Sequence, residues 1–194
     1  MKIGVLALQG DFREHRSALE KLGVVTVEVR LPAQLEGLDG IILPGGESTT
    51  IGKLMVSFDL LEPLREFGKT KAMWGTCAGA ILLSQDAGRE QPLLKLMDTE
   101  LERNAFGRQI ESFEIDLKVP FFEPTEPLYH ATFIRGPVFK RVFGRAHALL
   151  TLPDGRIVAA QQGKLLATSF HPELTEDIRF HEYFLELAKR LLAD

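Results

Sequence analysis

A single cysteine, Cys77, among 194 residues leaves no partner for an intrachain disulfide, and a lone thiol suits a reducing compartment. Zinc-site spacings are missing too. There is no C-x-x-C and no H-E-x-x-H, and none of the five histidines stands at ligand spacing from Cys77, so no metal is expected. Positive charge is in short supply. Lys plus Arg number 23 against 27 for Asp plus Glu, a formal net charge of −4, which argues against nucleic acid or an anionic membrane as partner. No apolar run approaches the ~20 residues of a membrane span. The apolar start, residues 3–8, follows one lysine and is too short for a secretory signal, so a cytoplasmic protein is expected. Two nucleotide signatures fail as well. Five residues separate Gly46 from Gly52 and Lys53 precedes Leu54, which breaks the phosphate-loop pattern, and no Gly-x-Gly-x-x-Gly follows the first strand. With no repeat, low-complexity tract or linker, residues 1–194 are read as one domain, long enough for one well-formed core.

What is present alternates strand and helix. Continuous apolar runs at 3–8, 24–29 and 38–43 read as central parallel strands covered on both faces. Asp11 and Glu14 have capping-box spacing for a helix carrying Phe12, Arg16, Leu19 and Leu22 on one face, closed by Gly23. Residues 72–75 form another strand. Short strands at 112–119, 129–134, 146–152 and 157–161 follow, with Pro153-Asp154-Gly155 as a hairpin turn. Residues 165–170 return to the first pattern, and an amphipathic helix over 176–192 puts Tyr183, Leu187, Arg190 and Leu191 on one face. The fold class is α/β, a mostly parallel sheet with a small antiparallel extension.

The chemistry is expected around Gly75-Thr76-Cys77-Ala78-Gly79. An apolar strand, a small-residue turn and a helix-compatible run describe a sharp strand-to-helix elbow that lifts Cys77 above the sheet edge, where the helix N–H groups favour a thiolate. The alternative is a buried structural cysteine. A nucleophile needs a base, and a base needs orienting. His171 ends a predicted strand on the same edge, and Glu173, two residues on in an extended segment, would project beside it; the competing reading is a polar strand exit. Pro44-Gly45-Gly46-Glu47-Ser48-Thr49-Thr50 frees backbone N–H groups at the sheet edge, so the N–H groups of Gly46 and Ala78 are candidates for an oxyanion hole. Arg103 and Arg135 are either solvated surface residues or cations for the α-carboxylate of an amino-acid substrate.

Together, Gly75-Thr76-Cys77-Ala78-Gly79 and His171-Pro172-Glu173 resemble the catalytic pattern of class I glutamine amidotransferases. Leu8-Gln9-Gly10 with Glu14-His15, Pro44-Gly45-Gly46-Glu47-Ser48-Thr49, Arg103-Asn104-Ala105-Phe106-Gly107-Arg108-Gln109, Phe133-Ile134-Arg135-Gly136-Pro137 and Phe170-His171-Pro172-Glu173-Leu174 narrow the resemblance to the glutaminase subunits of pyridoxal 5′-phosphate synthase. The resemblance spans the chain; Asp11 stands where a small residue is more usual, and residues 86–97 match nothing. It implies a flavodoxin-like three-layer fold and a Cys77, His171, Glu173 triad that hydrolyses L-glutamine through a glutamyl thioester. It further implies a glutamine site of Gly46, Glu47, Ser48, Arg103, Ile134 and Arg135, an oxyanion hole of Gly46 and Ala78, and no cofactor. The implied partner is a (β/α)8-barrel synthase subunit that receives the ammonia, in a ring of up to twelve of each. A stand-alone cysteine hydrolase and a non-catalytic redox-sensing module are the alternatives.

Overall fold

The computed structural model describes residues 1–103 and 112–190. In chain order the elements are β1 (Lys2–Leu6), α1 (Phe12–Lys21), β2 (Val25–Val29), β3 (Gly40–Leu43), α2 (Ser48–Ser57), α3 (Leu61–Thr70), β4 (Ala72–Thr76), α4 (Ala78–Leu83), β5 (Thr99–Glu102), β6 (Ser112–Leu117), β7 (Tyr129–Ile134), β8 (Val138–Val142), β9 (His147–Thr151), β10 (Ile157–Gln162), β11 (Leu165–Thr168) and α5 (Arg179–Lys189). The sequence motif from Asn104 to Gln109 and the helical positions Leu191 and Leu192 lie outside the described residues.

Five parallel strands run in the order β2-β1-β3-β4-β11, the doubly wound order in which the chain reverses direction beside β1. Every residue of β3, β4 and β11 is buried, which is why these runs lack polar alternation. Their side chains nonetheless alternate between two cores. Ile41, Leu43, Met73, Leu165 and Ala167 pack with α2, α3 and α4 on one face. Ile42, Trp74 and Leu166 pack with Leu19, Phe180 and Phe184 on the other. The result is the three-layer α/β architecture expected from the sequence.

The antiparallel part differs in detail. β10 pairs with β11 and carries the sheet on through β8 to β5, with β9 also paired to β10. The Pro153-Asp154-Gly155 turn joins β9 to β10 as expected, Gly155 N–H donating to Leu152 O at 2.9 Å. β6 and β7 form a separate two-stranded sheet, whose buried Tyr129, Ala131 and Phe133 join the core under α5. The sequence does not reveal β5, β8 or α3. β8 carries a charge on both of its exposed positions, Lys140 and Arg141, and α3 contains Pro63, tolerated in its first turn where the N–H needs no helical partner. Residues 86–97 prove to be a strap. Leu94 N–H and Leu96 N–H donate to Leu82 O and Leu83 O, and Leu93, Leu94 and Met97 are buried.

Two helix readings need correction. Asp11 does sit at the start of α1, but its side chain makes no cap hydrogen bond and the capping box is absent, because the carboxylate turns toward His171 instead. The buried face of α1 is His15, Ala18 and Leu19. The C-terminal helix begins at Arg179, later than expected, and buries Phe180, His181, Phe184, Leu185, Leu187 and Ala188. Arg190 is exposed, since the helix rolls to put its aromatic rings on Trp74.

Candidate active site

Four strand ends converge at the carboxyl edge of the sheet, where doubly wound folds place their ligands. β1 leads into Gln9 and Asp11, β3 into Gly46, Glu47 and Ser48, β4 into Cys77, and β11 into His171. These residues, with Ala78, Ile81, Arg103, Ile134, Arg135 and Leu174, line one cavity of about 400 Å3.

Cys77 is the apex of the elbow. Its backbone has φ 47° and ψ −103°, a left-handed conformation costing on the order of 1–3 kcal/mol for a residue with a Cβ. The surroundings hold it there. Cys77 N–H donates to Thr168 O at 2.8 Å, anchoring the apex to β11. A Cβ on Gly79 would stand 1.9 Å from Leu43 O, and one on Gly75 would stand 2.4 Å from Gly79. Only glycine permits helix α4 to approach β3 this closely. Sγ makes a long contact, 4.0 Å, with Ile134 O.

His171 ends its strand as expected, but the reason Glu173 meets it is different. Pro172–Leu174 is a turn of 3-10 helix and not an extended segment. The turn folds the carboxylate back, so that His171 Nδ1 donates to Glu173 Oε1 at 2.7 Å. Nδ1 is thereby committed as a donor, and Nε2, buried without a hydrogen-bond partner among the described residues, is left as the base. Burial opposes a charged ring, yet Cys77 and Glu173 outweigh it and push the His171 pKa up to about 11. The site therefore favours a charged His171 ring. Glu173 is fully buried, and that desolvation raises its own pKa while His171 opposes the rise.

The Gly45–Gly46 loop is latched from β1. Asp11 N–H donates to Gly45 O at 3.1 Å and Gln9 Oε1 accepts from Glu47 N–H at 2.8 Å. Because the peptide is planar and trans, the first bond turns Gly46 N–H away from Asp11. Ala78 supplies the first N–H of α4, which has no partner within the helix. Glu47, expected to bind substrate, is the N-cap of α2. It accepts from Thr49 N–H at 3.3 Å, from Thr50 N–H at 2.7 Å and from Arg103 Nη1 at 2.9 Å. Partial burial works against its charge, but Thr50, Thr49 and Arg103 dominate and hold the pKa at about 2. Arg103 Nη1 also reaches Ser48 Oγ at 3.3 Å. Ile134 and Arg135 stand at the end of β7, Arg135 with φ 46° and no ion pair among the described residues. Every candidate residue read from the sequence thus lines, or directly supports, the one cavity.

Several participants were not read from the sequence. Asp11 Oδ2 lies 3.5 Å from His171 Nδ1; in the sequence, only an acid standing where a small residue is more usual hinted at this. Gln91, on the strap, accepts from Ser48 Oγ at 3.3 Å and Thr49 Oγ1 at 3.2 Å, fixing the start of α2. His15 Nε2 lies 3.3 Å from Glu173 Oε2. Asp11, His171 and Glu173 bring ligand-type atoms within 4.8 Å of one another, but Nδ1 is already engaged with Glu173.

Similarity to known proteins follows the same residues. The family model of the SNO glutamine amidotransferase family matches residues 5–190. The pyridoxal 5′-phosphate synthase subunit PdxT of Moorella thermoacetica is 55% identical over 96% of this chain and 99% of its own. That of Thermus thermophilus is 54% identical over 96% and 97%. A solved structure described as a glutamine amidotransferase superposes with a TM-score of 0.90 at 52% identity, covering 96% of this chain and 98% of the other. A more distant glutamine amidotransferase from Thermotoga maritima shares the fold, with a TM-score of 0.60 at 16% identity, covering 100% of this chain and 86% of the other. With its elbow cysteine, its edge histidine and a family match that runs almost end to end, the chain belongs to the SNO glutamine amidotransferase family.

Proposed function

We propose that this chain is the glutaminase subunit of a pyridoxal 5′-phosphate synthase, hydrolysing L-glutamine to L-glutamate and ammonia. The observation that carries the reading is Cys77 on a strained elbow in the same cavity as His171, whose Nε2 is unengaged while Nδ1 is held by Glu173. Cys77 Sγ attacks the carboxamide carbon, and its proton resides on His171 Nε2. The tetrahedral oxyanion is held by the N–H groups of Gly46 and Ala78, each such donor contributing on the order of 3 kcal/mol in related acyl transfers. His171 passes the proton to the departing nitrogen, the C–N bond breaks and ammonia leaves. Water, deprotonated by His171, attacks the glutamyl thioester; glutamate departs and the thiol is restored.

The substrate's charged head falls to Arg103, Ile134 and Arg135, with Gly46, Glu47 and Ser48 along the cavity wall. Their positions around one cavity of about 400 Å3 support this division. No cofactor is required by the steps above. The ammonia passes to a barrel-shaped synthase subunit, in keeping with the synthase named in the relatives. Docking would act on the Gly45–Gly46 peptide: flipping it breaks the Asp11 N–H to Gly45 O bond and swings the Gly46 donor. The lone cysteine supports a cytoplasmic location; among the described residues no helix is long and apolar enough to cross a membrane.

Glutamate release from L-glutamine, measured for the chain alone and with the synthase subunit, tests this. Stimulation by the partner, abolished by Cys77→Ala, is expected. Equal release with and without it would favour a free-standing hydrolase. No release in either condition, with the cysteine reacting only with oxidants, would favour a redox module.

A further inference from the structure

The line of contacts does not stop at Glu173. His15 on α1 and His181 on α5 are both fully buried. Glu173 Oε1 receives His171 Nδ1 at 2.7 Å, and its other oxygen, Oε2, lies 3.3 Å from His15 Nε2. That nitrogen is also 3.0 Å from Thr76 Oγ1, directly before the nucleophile. His15 Nδ1 is 3.0 Å from His181 Nε2, and both rings meet the edge or face of Trp74. His181 Nδ1, at the far end, is buried with no partner among the described residues.

The ends of this line set its proton positions. If His15 carries its proton on Nε2, it donates to Thr76 Oγ1, and the positive edge of the ring stands 3.3 Å from Glu173 Oε2, which has no hydrogen-bond partner of its own among the described residues. Its Nδ1 then accepts from His181 Nε2–H, and the unpartnered His181 Nδ1 is a bare lone pair. The opposite polarity buries an orphan N–H at His181 Nδ1 and sets a nitrogen lone pair 3.3 Å from a carboxylate oxygen. Buried orphan donors are rarer than under-used acceptors, and the second contact is repulsive, so the first polarity prevails. The line ends inside the core at His181, so it braces the carboxylate and provides no proton exit.

We propose that His15, itself oriented by His181, is a positioning residue for the triad. The positive edge of its Nε2–H, 3.3 Å from Glu173 Oε2, favours a carboxylate whose other oxygen is turned toward His171 Nδ1, and so maintains the His171 tautomer that offers Nε2 to Cys77. This rests on the nucleophile reading of Cys77. The electrostatics agree: burial, then His181, then His171 push the His15 pKa well below the ordinary value, and burial takes His181 to about 3. Both rings are neutral donors at neutral pH. The charged neighbours are few: His171 faces Cys77, Glu173 and Asp11, whereas His15 faces Glu173, His181 and the His171 charge.

Two measurements test the brace, neither of which uses glutamine turnover. In the intact wild-type protein, 15N spectra of the imidazoles should show neutral Nε2–H tautomers for His15 and His181 at pH 7. A proton on Nδ1 of His15 would overturn the proposal. The second is the pH profile of Cys77 alkylation by iodoacetamide in His15→Leu and His15→Gln. Leu should slow alkylation at pH 7 on the order of 10-fold, the scale on which outer hydrogen-bond partners of a working histidine act. It should also change the shape of the pH profile, since alkylation goes through the thiolate that His171 assists. Gln, which keeps an N–H at that place, should restore most of the rate. A Leu profile superimposed on wild type overturns the proposal even if the variant melts earlier; if Leu does not fold, the imidazole spectra decide. Normal alkylation without glutamine turnover in wild type would instead count against the glutaminase reading.

Discussion

Burying His181 as a neutral ring should make the protein acid-sensitive in a window set by that one side chain. An unfolded chain takes up a proton at the ordinary histidine pKa of 6.5, whereas the folded protein resists until about 3. The unfolded state therefore binds more protons between these values, and stability falls as pH is lowered through the window. At pH 5 the ring alone should have cost about 2 kcal/mol, and by pH 3 about 4 kcal/mol. His15, lowered in the same direction, adds to the loss. His181→Phe keeps an aromatic ring against Trp74 and removes the titrating group, at a packing cost of about 1–3 kcal/mol that is the same at both pH values. Urea denaturation of both proteins at pH 7 and pH 5 gives the answer. The wild type should lose about 2 kcal/mol more than His181→Phe across that interval. Equal losses would refute the burial argument, because removing His181 also relieves part of the push on His15 and can only widen the difference.

Other expectations follow from the elbow and the glycine loop. Cys77→Gly should be more stable than Cys77→Ala by about 1 kcal/mol, since only glycine relieves φ 47°; thermal denaturation of the pair measures it, and a more stable Ala variant would contradict the strain. Gly79→Ala puts a Cβ 1.9 Å from Leu43 O, so a loss of about 1–3 kcal/mol and slower Cys77 alkylation are expected together. Glu47→Ala removes the α2 cap, worth about 1 kcal/mol at neutral pH. The depressed Glu47 carboxylate contributes above 4.5 and is lost as pH falls toward about 2, so the variant should be less acid-sensitive there in denaturant titrations.

The reacting groups were legible because each stands at the end of an apolar strand, where a polar or small residue breaks an otherwise buried run. Cys77, His171 and the Gly45–Gly46 loop are of this kind, and strand order brings those ends to one edge. Glu173 was reached by a correct pairing and a wrong geometry, since a 3-10 turn does the work assigned to an extended segment. His15 stood in the sequence only as part of the Glu14-His15 motif, and His181 carried no reading at all. Only the packing of α1 and α5 against Trp74 buries them, and nothing local in the sequence records that contact. Asp11 looked like a helix cap because spacing cannot tell a cap from a side chain turned the other way. The strap at 86–97 has neither helical nor strand period; its order comes from capping α4 and holding Ser48 and Thr49 through Gln91.

The central claim is covalent chemistry at Cys77, and the most direct measurement is mass spectrometry of the protein quenched in acid during turnover of L-glutamine. With the synthase subunit present, wild type should accumulate an adduct of one glutamyl group on the peptide carrying Cys77, and Cys77→Ser should show none. Steady glutamate release with Cys77 unmodified, or undiminished release by Cys77→Ser, would contradict it.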